Sequence, residues 1–124
     1  DQRLAPLDHK TRASAPDDVS YTQKYYQLQM DVYTLLLERN GHHTSRTAFV
    51  IYYCPVGGAL HEGFPFGVTV HHVKTDPDAA YRVFLDACRC LENPLPPSGE
   101  ACEFCRWAES RANHPAPVPD DLFA

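Results

Sequence analysis

The longest regular pattern of apolar and polar positions in the chain predicts a helix over residues 22–39. Its apolar and aromatic residues recur three and four positions apart, which places them along one helix face. This stripe consists of Tyr25, Gln29, Tyr33 and Leu36, with Leu28, Val32 and Leu35 beside it. Asn40-Gly41 follows as a typical helix stop. We expect the tyrosines of this region to pack in the core rather than to stack on nucleic-acid bases; they are Tyr21, Tyr25, Tyr26 and Tyr33.

Three other segments have the composition of β-strands. Residues 47–54 are dense in β-branched and aromatic side chains and predict a buried strand, with Cys54 in the core. Residues 64–74 predict a strand after a glycine-containing loop at 55–63, and residues 3–11 predict one at the start of the chain. Pro6 suits the beginning or the edge of that first strand, and residues 12–20 predict a polar loop.

The second half of the chain adds two predicted helices. Thr75-Asp76-Pro77-Asp78 is typical of a helix start, so we expect a helix over 78–91. A proline-rich connector at 94–99 leads to a short helix at 102–112, and residues 114–124 predict a tail containing three prolines. The order of elements predicts an α/β or α+β fold, with a small mixed β-sheet flanked by helices.

Length and composition narrow the class of protein further. A chain of 124 residues with 44% hydrophobic residues is sufficient for one domain with a single core. It contains no apolar run of 18 residues and shows no signal peptide, so we expect no membrane partner. Five cysteines, an odd number at irregular spacing, favour reduced thiols and a cytoplasmic location. The net charge of −5 does not favour general binding to nucleic acid, although a local basic cleft is compatible with it.

Two local pairs of residues suggest chemistry. Asp8 and Lys10 are two residues apart, so on a strand they share one face. A carboxylate that binds a divalent cation beside a lysine that neutralises phosphate charge suits metal-assisted phosphodiester hydrolysis. Gln29 and Tyr33 are four apart and share a helix face. Each pair also has an ordinary interpretation, as an exposed ion pair and as two residues of an amphipathic helix.

Taken together and in this order, these residues resemble the PD-(D/E)XK nuclease superfamily. Asp8-His9-Lys10-Thr11 is similar to its D-x-K-T strand, and Gln29 and Tyr33 are similar to the Q-x-x-x-Y helix motif of the RecB-like branch, which includes CRISPR-associated exonucleases. The resemblance implies a restriction-endonuclease-like core, with residues 1–113 a partial nuclease domain and 114–124 a tail. It implies that Asp8 and the backbone carbonyl of His9 bind Mg²⁺ or Mn²⁺. Lys10, Gln29 and Tyr33 would then complete the catalytic set.

The implied function is hydrolysis of DNA in repair, recombination or phage defence, with DNA and a helicase or another nuclease subunit as partners. The family carries a second metal-binding acid on a preceding strand, in a Gly-x-x-Asp context that these residues lack. We therefore expect the domain to be truncated at its N-terminus and to have little or no nuclease activity alone. A missing neighbour strand would also leave a sheet edge open, which favours a homodimer.

The cysteines allow a metal interpretation that the residues alone leave open. Cys102 and Cys105 have the spacing of a zinc knuckle, and Cys88 and Cys90 lie upstream of the connector. The resemblance allows a [4Fe–4S] cluster, and His114 with one upstream cysteine would complete a Zn²⁺ site; reduced structural thiols are the default. Two alternatives to a nuclease therefore remain: a non-catalytic module of the same fold that binds nucleic acid or a helicase, and a small structural domain built around a cysteine-bound metal.

Overall fold

The computed structural model describes residues 2–57, 63, 65–94 and 96–113. Its elements follow the order β1 (Leu7–Thr11), α1 (Val19–Arg39), β2 (Thr47–Pro55), β3 (Phe66–Lys74), α2 (Pro77–Leu91) and α3 (Glu103–Asn113). This is a mixed α+β fold, which confirms the predicted fold class. The predicted tail at 114–124 and most of the loop at 58–64 lie outside the described residues.

The three strands form one mixed sheet in the order β1-β2-β3. Strand β1 pairs with β2 in parallel, and β2 pairs with β3 as an antiparallel neighbour. Parallel strands need a long crossover, and α1 supplies it between β1 and β2. The sheet therefore begins with a β-α-β unit, in which α1 contacts both β2 and β3.

The core lies between α1 and one face of the sheet. It contains Met30 from α1, Val73 from β3 and every second residue of β2, namely Ala48, Val50, Tyr52 and Cys54. The predicted burial of Cys54 is confirmed, because only 5% of it is exposed. Strand β2 is buried on alternate residues only, so it is covered on one face rather than two.

The opposite face of the sheet is apolar and partly open to solvent. Leu7 on β1 and Phe66, Val68 and Val70 on β3 are each at least half exposed there. His9 and Tyr53 also lie on this face, with their rings stacked 5.6 Å apart.

The predicted stripe of α1 is wrong as a description of its buried face. The buried residues are Thr22, Met30, Asp31 and Thr34, whereas Tyr25, Leu28, Tyr33 and Leu36 are exposed by more than a third. Of the tyrosines on this helix, Tyr26 packs against the core. The burial of hydroxyl and carboxylate groups is possible because each one has a hydrogen-bond partner.

These partners form two polar clusters beneath the helix. The Thr22 hydroxyl lies 2.8 Å from Tyr52 Oη and 2.7 Å from His71 Nδ1. Asp31 Oδ1 accepts hydrogen bonds from the Gln27 amide group and from the backbone N–H of Asp76, each at 2.8 Å. Asp31 thereby ties α1 to the segment that enters α2.

Some predicted boundaries shift for identifiable reasons. Helix α1 begins at Val19, inside the predicted loop, because the side chain of Asp18 caps it by accepting the backbone N–H of Ser20. Strand β1 begins at Leu7 rather than at residue 3, since Pro6 supplies no N–H and, among the described residues, Leu4 before it makes an isolated bridge to Thr44.

The chain divides into two compact units, Asp1–Cys88 and Arg89–Ala124. The first contains the sheet, α1 and most of α2. In the second, α3 has no buried residue, and the rings of Phe104 and Trp107 lie 5.6 Å apart on its exposed surface. Across the described residues, no helix is long and apolar enough to cross a lipid bilayer.

Candidate active site on the first strand

The face of β1 that looks toward α1 carries the acid and the lysine singled out by the sequence. Asp8 is in register with Val50 of β2, and Lys10 is in register with Tyr52, both of which are buried beneath α1. Residues in register share a sheet face. The two charged side chains therefore extend from the edge of the core toward the helix, as their spacing predicts.

Lys10 connects the strand to the helix. Its Nζ lies 2.8 Å from Asp8 Oδ2 and donates a hydrogen bond to Gln29 Oε1 at 3.1 Å. Gln29 Nε2 in turn donates to Tyr33 Oη at 2.6 Å, and the ring of Tyr26 lies 4.7 Å from the Lys10 ammonium. The structure thus brings all four predicted catalytic side chains into one chain of contacts, while their catalytic roles stay a prediction.

The environment of Lys10 favours its charged form. The pKa of Lys10 is raised, chiefly by its contact with the Asp8 carboxylate, against an opposing effect of burial. The negative charges that Tyr26 and Tyr33 can carry act in the same direction as Asp8. Lys10 therefore holds a proton across the neutral range, which suits neutralisation of a phosphate oxygen and not removal of a proton from water.

Asp8 is the described carboxylate that contacts Lys10, and one of its oxygens is incompletely satisfied. Asp8 Oδ2 is buried and lies 2.8 Å from Lys10 Nζ, and no further donor among the described residues reaches it. A bound cation is one way to satisfy such an oxygen. The described residues contain no group of three or more histidine, cysteine or acidic side chains able to hold a metal. Binding of Mg²⁺ or Mn²⁺ at Asp8 stays a prediction, since a single carboxylate would leave most of the coordination to water and substrate phosphates.

The backbone carbonyl and the imidazole of His9 lie on different sides of β1. The backbone hydrogen bonds that flank β1, from Phe49 N to Pro6 O and from Arg12 N to Tyr53 O, show that even-numbered residues bond to β2. Alternation along the ladder then directs the backbone carbonyl of His9 to the edge of β1 away from β2. The imidazole lies on the open sheet face, where Nδ1 is 3.1 Å from Tyr53 Oη.

A polar cavity of about 410 Å³ lies beside this site, at the start of α1. Arg12 lies on it, two residues after Lys10, with its guanidinium 3.9 Å from the centre of the Tyr21 ring. Arg12 Nη1 is buried without a hydrogen-bond partner among the described residues. The cavity is also lined by Lys24 and Tyr25, and by the carboxylates Asp17 and Asp18.

The sequence interpretation missed Arg12 and gave Tyr26 no role in the site. Arg12 could have been found by extending the alternation of Asp8 and Lys10 by two more residues. Tyr26 carried no such signal, because its position under Lys10 depends on how α1 crosses the sheet. At the other end of β1, an apolar cavity of about 390 Å³ is lined by Tyr33 together with Pro6, Leu7 and Leu36.

The cysteines do not assemble into a described metal site. Cys102 and Cys105 lie together at the start of α3, where Cys102 Sγ accepts the backbone N–H of Cys105 at 3.2 Å. Cys88 and Cys90 lie in α2, and all five thiols are free. The predicted fourth ligand, His114, lies outside the described residues. The zinc and iron–sulfur interpretations stay predictions.

Comparison with known proteins does not identify a family. The chain matches no protein-family model, no curated protein and no solved structure. The resemblance to PD-(D/E)XK nucleases therefore depends on the motif residues themselves.

Proposed function

We propose that this chain carries the lysine and one metal-binding carboxylate of a metal-dependent nuclease that hydrolyses DNA phosphodiester bonds. One observation supports the proposal above the others: Lys10 Nζ is held between Asp8 Oδ2 and Gln29 Oε1, at 2.8 and 3.1 Å. The Asp8 and Lys10 pair of β1 comes into contact there with the Gln29 and Tyr33 pair of α1. This contact places a protonated lysine beside a carboxylate.

Each residue has a role that follows from its contacts. The Lys10 ammonium neutralises a non-bridging phosphate oxygen as charge develops on it. Gln29 fixes the Lys10 side chain, and Tyr33 fixes Gln29 by accepting its amide hydrogen. Asp8 and the carbonyl of His9 would hold Mg²⁺ or Mn²⁺, which when bound supplies an activated water and charge neutralisation.

The number of ligands limits what the described residues can do alone. One carboxylate and one carbonyl hold Mg²⁺ weakly unless phosphate oxygens complete its coordination. We therefore expect metal binding to depend on the nucleic acid, and cleavage to be slow or absent. A helicase or a second nuclease subunit is the kind of partner that would supply a further acid.

A second candidate is a module that binds nucleic acid without cutting it. The cavity beside Lys10 favours this function, since Arg12 and Lys24 stand next to the rings of Tyr21 and Tyr25. Cations beside aromatic faces are the usual means of holding a single strand. Such a module would bind without a metal ion.

The decisive experiment measures binding of a fluorescein-labelled oligonucleotide by anisotropy, single- and double-stranded, with Mn²⁺ or with EDTA. We expect Mn²⁺ to strengthen binding and Asp8→Asn to abolish that gain. Lys10→Ala should weaken binding about tenfold or more, the usual effect of removing a charged hydrogen-bond partner. Lys74→Ala, which removes the same charge from the end of β3, is the matched control.

Gel analysis of the same samples tests catalysis. Any cleavage must require the metal and must disappear in Lys10→Ala. Binding that is insensitive to Mn²⁺ and to Asp8→Asn would contradict the nuclease and support the binding module. Equal binding by Lys10→Ala and Lys74→Ala would contradict the nuclease, and no binding by the unaltered chain with or without Mn²⁺ would contradict both functions.

A further inference from the structure

A second chemical site lies at the start of α3. Cys102 immediately precedes this helix, and Cys105 is in its first turn. The backbone N–H of Cys105 donates to Cys102 Sγ at 3.2 Å, so the first thiol occupies the position of a helix cap. Residues three apart at a helix start are neighbours on one face, within the separation that a disulfide can span.

The two thiols differ in their environment. The pKa of Cys102 is lowered, first by a hydrogen bond from the Cys105 thiol and then by the Cys105 backbone N–H. The pKa of Cys105 is raised, first by the same contact with Cys102 and then by burial. Glu109, one turn further along α3, raises the pKa of both thiols. The contact thus favours a thiolate on Cys102 and a thiol on Cys105.

Both sulfur-bearing residues are accessible in their own unit. Cys102 and Cys105 are partly exposed, in contrast to Cys54, which is buried in the core. Phe104, between them in sequence, and Trp107, on the next turn, are 70% and 58% exposed. An accessible thiol whose sulfur accepts a backbone N–H at a helix start has the features of a reactive cysteine.

We propose that Cys102 and Cys105 form a dithiol pair that exchanges with the disulfide of another molecule. The Cys102 thiolate attacks one sulfur of the partner disulfide, the partner S–S bond breaks, and a thiolate leaves. The Cys105 thiol then loses its proton and attacks Cys102 Sγ, which breaks the mixed disulfide and releases the second partner thiolate. Two electrons pass to the partner, both thiol protons end on its sulfurs, and a Cys102–Cys105 disulfide remains.

This activity is independent of the proposed nuclease. It is also distinct from the zinc interpretation, which needs a third and fourth ligand. Among the residues that the structure describes, no third histidine, cysteine or acidic side chain joins the pair in a group able to hold a metal. Zinc binding remains an outcome that the experiment can detect.

The experiment equilibrates the reduced chain in mixtures of oxidised and reduced glutathione, traps free thiols with a maleimide and locates disulfides by mass spectrometry. We expect one internal disulfide between Cys102 and Cys105. Cys105→Ser should instead accumulate glutathione on Cys102, because the attacking second thiol is gone. A variant lacking Cys88 and Cys90, which are two apart within α2, should behave like the unaltered chain.

Two results would overturn the proposal. One is glutathione on Cys90 of the unaltered chain with no Cys102–Cys105 disulfide at any ratio of oxidised to reduced glutathione. The other is zinc that copurifies in equal amount with the chain and protects Cys102 and Cys105 from the maleimide until a chelator removes it. A parallel assay with a peptide that carries one exposed disulfide, in place of oxidised glutathione, distinguishes a polypeptide partner from a small disulfide.

Discussion

At the scale of single residues, the arrangement around Lys10 arises from the two-residue period of β1, the helical period of α1 and the way in which α1 crosses the sheet. The spacing of Asp8 and Lys10 places both on one strand face, and the spacing of Gln29 and Tyr33 places both on one helix face. Sequence alone predicts each pair in this way. That the pairs meet is a property of the fold, because Lys10 and Gln29 are 19 residues apart.

Arg12 provides a prediction about the neighbouring cavity. If a phosphate contacts its guanidinium, Arg12→Ala should weaken oligonucleotide binding and reduce the salt dependence of the affinity by about one charge. Anisotropy titrations at several salt concentrations measure this slope. Arg39→Ala is the matched control, because the Arg39 guanidinium also lies over a tyrosine ring, 4.3 Å from the centre of Tyr81. Equal slopes for the two variants would show that Arg12 does not contact phosphate.

At the scale of elements, α1 shows where sequence interpretation fails. The apolar stripe that the sequence predicts contains Tyr25 and Leu28, which lie on the exposed face of the helix. The buried face instead contains Thr22, Asp31 and Thr34, which count as polar in any hydrophobic pattern. Their burial depends on hydrogen-bond partners in β2, β3 and the segment before α2, and a single helix sequence contains no information about those partners.

The start of α1 provides a prediction with a pH signature. The pKa of Asp18 is lowered, chiefly by the hydrogen bond from the Ser20 hydroxyl and then by the Ser20 backbone N–H. Because the folded pKa is depressed, this cap stabilises the fold above the ordinary carboxyl range, and the contribution disappears as the pH falls through the folded pKa.

We therefore expect Asp18→Ala to lower the Tm by a few degrees at neutral pH, with the difference shrinking in strong acid. Thermal melts of both proteins, followed by circular dichroism at neutral pH and in strong acid, measure this difference in Tm. Asp17→Ala removes an adjacent exposed carboxylate that does not cap the helix and should change little. A Tm difference that persists unchanged in acid would show that the effect is not due to the ionised cap.

At the scale of the whole molecule, the sheet ends at β1 among the described strands. The N–H and C=O groups of Leu7, His9 and Thr11 are directed to that edge by the alternation of the ladder. An edge of this kind can pair with another strand, so we expect the metal-free chain to form a homodimer through β1, a pairing that would occupy the His9 carbonyl proposed as a metal ligand. Division into the units Asp1–Cys88 and Arg89–Ala124 had no sequence signal, because α2 continues across the boundary.

Thr11→Pro tests the dimer. It removes an outward N–H while leaving the ladder between β1 and β2 unaltered, so it should convert a dimer into a monomer. Light scattering coupled to gel filtration measures the mass. Thr11→Val keeps the N–H and the β-branched shape, and should remain dimeric. A monomeric Thr11→Val, or a dimeric Thr11→Pro, would exclude pairing through this edge.

The β-α-β crossover has a consequence for the order in which the molecule folds. Strands β2 and β3 are near neighbours in sequence, whereas β1 can pair with β2 only after α1 has closed a loop of some 40 residues. We therefore expect the hairpin to form early and β1 to dock last. Hydrogen exchange would then be fastest in the amides of Asp8 and Lys10 among the strand residues bonded to β2. The paired acid and lysine would thus be assembled at the end of folding and be the first to separate when the chain opens locally.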